Sequence, residues 1–108
     1  MARREVIWTK TADLQLLGTL EYWVNRNKST TYSKKLLKMV LQKTQQIAKT
    51  PEMFQYADFP ETRMAILENF KILFKTKENS IIITAFWDTR QDPKKLLEIL
   101  QSLDKNKN

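Results

Sequence analysis

Residues 80–88, SIIITAFWD, are apolar at both odd and even positions until Asp88 is reached. The β-branched and aromatic content marks a strand. A strand with two apolar faces must be covered on both sides or nearly so, and it therefore lies inside a sheet. The chain has 108 residues, enough for one core between packed layers but not for two independent ones. The remaining elements must supply that cover. Residues 70–76, FKILFKT, alternate Phe70, Ile72 and Phe74 with Lys71, Leu73 and Lys75, which is strand periodicity. Residues 62–68, TRMAILE, read as a third strand. Glu68-Asn69 and Lys77–Asn79 are short enough to be turns, so the three strands are predicted to form an antiparallel meander.

Two helices account for one side of the cover. Residues 5–9, EVIWT, read as a short strand, and Thr11 is the expected cap of the helix that follows, with Asp13 near its positive end. Leu16, Leu17, Leu20, Trp23 and Val24 recur at spacings of three and four over residues 12–26. After the polar break Asn27–Thr30, a second stripe runs through Tyr32, Leu36, Leu37, Val40, Thr44, Ile47 and Ala48, and Pro51 stops it. The short break makes the pair an antiparallel hairpin. Residues 51–61, PEMFQYADFPE, are read as an ordered loop. Asp92-Pro93 is a helix start, with Leu96, Leu97, Leu100 and Leu103 as its stripe and 105–108 as a frayed end. The order is β-α-α-β-β-β-α. It describes a single α+β domain over residues 1–108, with the helical hairpin and a C-terminal helix packed on a mainly antiparallel sheet.

Composition narrows the chemistry. The chain has no cysteine and no histidine. Disulfides, zinc-thiolate sites and thiol nucleophiles are excluded, and so is the usual general base near neutral pH. No metal and no cofactor is expected. There are 19 Lys and Arg against 12 Asp and Glu, a net charge of +7. That excess suits a polyanionic partner (nucleic acid, the ribosome or an acidic protein), and it equally suits a solvated basic surface. Val6–Trp8 is too short a run for a signal segment, and nothing approaches the ~20 apolar residues of a membrane helix. A cytoplasmic protein with no membrane partner is expected.

The candidate site follows from the register of the meander. With the turn at 77–79, the start of strand 70–76 lies beside the end of strand 80–88. Lys71 is thereby placed near Trp87 and Arg90, two cations and an aromatic at one edge of the sheet, with Lys75 on the same parity and Arg63 on the neighbouring strand. Cations bind phosphates, and an aromatic face stacks on a base. Taken singly, these residues read as surface lysines, a capping arginine and a core tryptophan. Lys28, Lys34, Lys35, Lys38 and Lys43 lie on the outer face of the helical hairpin.

The order of elements, with IWTKTADLQLLGTLEYW, TPEMF, NFKILFK and IIITAFWDTRQDP along residues 5–96, resembles the RelE/ParE superfamily of bacterial type II toxins. The resemblance implies a toxin neutralised by a small cognate antitoxin in a hetero-oligomer. RelE-like members cleave mRNA on the ribosome. On that pattern Lys71 matches a phosphate-binding position, and Arg90 matches the arginine that stabilises transition-state charge. The C-terminal Tyr or His of active nucleases falls near Leu96, which transfers no proton, and Asp88 stands where many relatives carry His. ParE-like members instead poison DNA gyrase and need no catalytic constellation. The resemblance thus points to a ParE-like inhibitor, with a ribosome-dependent endonuclease as the alternative. The helical hairpin is the implied antitoxin platform, through Leu17, Trp23, Tyr32 and Leu36. A helix opening with Pro93-Lys94-Lys95 after three strands also resembles double-stranded RNA-binding domains, although the N-terminal strand and helical hairpin do not fit them.

Overall fold

The computed structural model describes residues 4–90 together with Lys94 and Glu98. Its elements in chain order are β1 (Glu5–Trp8), α1 (Lys10–Asn27), α2 (Thr31–Lys49), a 3₁₀ turn (Pro51–Met53), β2 (Arg63–Leu67), β3 (Phe70–Lys77) and β4 (Ser80–Asp88). Lys94 and Glu98 have helical backbone. The rest of the expected C-terminal helix, from Asp92-Pro93 through Leu103, lies outside the described residues.

The four strands form one sheet in the order β1-β4-β3-β2. β3 pairs antiparallel with β2 and with β4, while β1 pairs parallel with β4, Glu5 opposite Ser80 and Trp8 opposite Ile83. β4 is therefore central, as its two apolar faces require. The register places Lys71 directly opposite Trp87. It then shifts: Leu73 pairs with Ala85 but Phe74 pairs with Ile83, so Thr84 is an extra residue, a β-bulge. The Thr84 hydroxyl donates to the Leu73 carbonyl at 3.2 Å. The bulge changes which parity faces the helices. Ile81, Ile83 and Phe86 all join Phe70, Ile72 and Phe74 in the core beneath α1 and α2, while Ala85 turns to the other face with Leu73.

The helical layer is Ala12 and Leu16 of α1 with Leu36, Val40, Ile47 and Ala48 of α2. Ser33 ties the hairpin by donating to the Leu20 carbonyl at 2.7 Å. The N-cap of α1 is Thr9, not Thr11. Thr9 is the last extended residue, its hydroxyl accepts from Ala12 N–H at 3.2 Å, and Lys10 already begins the helix. The far face of the sheet is partly closed by the loop after the 3₁₀ turn, where Ala57 and Phe59, together with Met64 of β2, pack on Leu73 and Ala85. Among the described residues no helix is long and apolar enough to cross a membrane.

Candidate functional site

The exit of β4 is one wall of a groove of about 540 Å³, with α1 as the other wall. β1 ends at Trp8, opposite Ile83, so among the described residues β4 has no strand on that side beyond Ile83. α1 fills in with a side chain: Gln15 Oε1 accepts the Phe86 N–H at 2.9 Å. Leu14, Gly18, Tyr22 and Trp23 continue the α1 wall, opposite Trp87, Asp88 and Arg90.

Arg90 does not lie beside Lys71. Asp88 pairs with Phe70 and thus shares the helix-facing side, whereas Lys71 pairs with Trp87 and Ile66 on the opposite side. The Arg90 guanidinium turns back to Asp88, donating Nε to Oδ1 at 2.9 Å and Nη2 to Oδ2 at 2.6 Å, and the Arg90 backbone N–H adds a third bond to Oδ1 at 2.9 Å. It also lies 5.8 Å from the Trp23 ring centroid. These hydrogen bonds hold the Asp88 carboxyl below its ordinary range, and Asp88 raises the already high value of Arg90. The expected grouping of Lys71 and Arg90 is therefore not formed. Two residues past a strand end, an arginine reaches the carboxylate on its own side more readily than it crosses the sheet.

Trp87 is also placed differently from expectation. The residue is 7% exposed, too little for its ring to stack on a base, and its Nε1 has no hydrogen-bond partner among the described residues. A buried orphan donor of this kind costs about 1–3 kcal/mol. Arg63 lies at the start of β2. Its Nη1 donates to the Phe54 carbonyl at 2.6 Å and the Glu52 carbonyl at 3.4 Å, its Nη2 to the Tyr56 hydroxyl at 3.0 Å, and its guanidinium lies 4.0 Å from the Tyr56 ring centroid. Lys75 Nζ is 5.7 Å from the Phe59 ring centroid. A second groove, of about 460 Å³, brings Arg63 and Lys75 together with Tyr56 and Lys77.

Of the residues expected to meet an antitoxin, Leu17 is exposed and Trp23 and Tyr32 are half-buried, their rings edge-to-face with centroids 5.1 Å apart. Burial and the nearby Glu68 carboxylate, which the Tyr32 hydroxyl approaches at 3.4 Å, raise the Tyr32 hydroxyl above its usual value. Leu36 is fully buried in the core and presents no surface to a partner. The one-residue offset matters on a helix: Leu37 and Leu41 are the exposed residues, as are Leu14 and Tyr22 on α1. Gln15, Asp88 and Tyr56 were not singled out by sequence reasoning as site residues. Gln15 carried a signal, a polar side chain beside Leu16 on the helix stripe. Among the described residues no group of carboxylates gathers as a metal site.

Against known proteins, no family model matches the chain. No curated protein matches it in sequence. Among solved structures, it is similar to a chain of the chromosomal ParDE TA system from P. aeruginosa, with a TM-score of 0.69, 17% identity, and coverage of 80% of this chain and 96% of that one. At this identity the likeness is one of fold: two helices on a four-stranded mixed sheet, the ParE-like α+β architecture.

Proposed function

We propose that this protein is the toxin of a type II toxin–antitoxin pair, neutralised by a small acidic antitoxin, and that it inhibits DNA gyrase by binding it. The observation that carries this reading is the uncovered surface of the helical hairpin. Leu14 is 56% exposed, Leu17 45% and Leu41 50%. α2 carries Lys34, Lys35, Lys38, Lys43 and Lys49 with no acidic residue. Like charges spaced three or four apart on a helix repel by about 0.2–0.5 kcal/mol per pair, and exposed leucines gain nothing in water. Leucines and lysines side by side fit an acidic amphipathic segment, whose apolar face covers the former and whose carboxylates meet the latter. The fold shared with the ParDE structure supports the same partner class.

The site geometry favours target binding over RNA cleavage. A nuclease reading needs Lys71 and Arg90 to converge on one phosphate. They lie on opposite faces, and Arg90 is engaged by Asp88. The test is a pair of assays with purified protein: supercoiling by gyrase, and cell-free translation followed by primer extension on the mRNA. The expected outcome is inhibited supercoiling and intact mRNA. Ribosome-dependent cuts that disappear in Arg90→Ala would overturn the proposal in favour of the RelE-like alternative.

A further inference from the structure

The groove between α1 and the exit of β4 holds backbone groups that no strand meets. Thr89 N–H bonds the Asn69 carbonyl at 2.8 Å, just before β3. Hydrogen bonding alternates along an antiparallel pair, so the N–H and C=O of Trp87 face β3, while those of Phe86 and Asp88 face the groove. Among the described residues their one partner there is Gln15, on Phe86 N–H. Phe86 C=O and Asp88 N–H stay open. Such a pair fits one residue of a parallel strand, which donates to the carbonyl and accepts from the N–H. β1 uses the same fitting lower down: Glu5 N–H donates to Asn79 C=O at 2.9 Å, and Thr9 N–H to Ile83 C=O at 3.1 Å.

The helix leaves room for a chain at this place. Gly18 lines the groove, and a Cβ there would meet nothing within 4 Å. A glycine inside a helix weakens it, so bare backbone here serves an approach from outside. The groove is also continuous with the open surface of the hairpin, through Leu14 and Tyr22, 56% and 53% exposed. We propose that the groove takes an extended segment of the antitoxin as a short added strand in the line of β1, bonded to Phe86 C=O and Asp88 N–H and passing close to Gly18. For the identity of the partner this rests on the toxin reading above. A helix covering Leu17 and Leu41 would hand its chain on past Leu14 into the groove.

The test uses the complex with the product of the small reading frame that adjoins this gene. Amide exchange followed by NMR, free and bound, reads the contact directly. Asp88 N–H is expected to exchange about tenfold or more slowly in the complex. Phe86 N–H, already bonded to Gln15, should change far less. Gly18→Leu is expected to weaken the complex by about tenfold and to reduce the protection of Asp88. Gly18→Ala should weaken it less. Melting curves at or above the parent's show that both variants fold. An unchanged Asp88 exchange rate in the complex, or a Gly18→Leu variant that binds as well as the parent, would each overturn the added strand and leave the toxin reading standing on the hairpin surface. Protection of Asp88 in the protein alone that grows with its concentration would give the groove to a second copy, and would overturn the proposal too. The absence of any complex would sink the toxin reading, and the proposal with it.

Discussion

Asp88 is the residue whose consequence is most direct. Its carboxylate takes three hydrogen bonds from Arg90, and its folded pKa is depressed on that account. A depressed acid contributes stability above its unfolded value, near 3.9 for Asp, and loses it as pH falls through the folded value. Asp88→Asn should therefore be less stable than the parent at neutral pH. The difference should shrink as pH drops below about 4. Urea unfolding at a series of pH values measures it, and a pH-independent difference would show that the pair has no linked role. The effect is small, because the guanidinium is half exposed and screened. Among the described residues, Lys28, Glu61, Glu68 and Glu78 take left-handed backbone without being glycine. The last two turn β2 into β3 and β3 into β4, so the hairpins close without glycine.

At the scale of elements, α1 is the helix that least resembles a finished surface. Only Ala12 and Leu16 are buried on it, while Leu14, Leu17 and Tyr22 are open. Gly18 lies between Leu14 and Tyr22 on the groove wall, and a Cβ built there meets nothing within 4 Å. Internal packing does not require this glycine, and mid-helix it costs about 1 kcal/mol relative to Ala. Gly18→Ala should raise stability by about that amount, and Gly18→Leu should keep the fold while blocking a partner that approaches the helix backbone closely. Thermal unfolding together with antitoxin pull-down tests both. A Leu variant that binds as well as the parent would place the partner elsewhere. The helical hairpin and the four strands were legible from periodicity to within a residue or two, because α2 buries one clean stripe and Phe70, Ile72 and Phe74 alternate along β3. The site was less legible. β4 is apolar at both parities, so its periodicity gives no sign of the bulge at Thr84, and that single bulge decides which face Phe86 and Asp88 share. Arg90, two residues past the strand, follows Asp88 to that face. Leu36 and Leu37 were both on the expected stripe, and only the packing against the sheet distinguishes the buried one from the exposed one.

For the whole molecule, the decisive contact is the parallel pairing of β1 with β4. β4 also supplies Ile81, Ile83 and Phe86 to the core under the helices. A chain ending at Asn79 should therefore lack a cooperative unfolding transition by circular dichroism in urea, even though both helices and the β2–β3 hairpin are present. A sharp transition in that fragment would show that the helical layer folds on the first strands alone. The same pairing sets a timetable for synthesis. Contacts this distant along the chain close late. On the ribosome, α1 and α2 emerge before β4, and Leu14, Leu17 and Leu41, which the finished fold leaves open, are open from the start. On the proposed reading, an antitoxin that binds those leucines can therefore meet a half-made protein, before the finished one reaches its target.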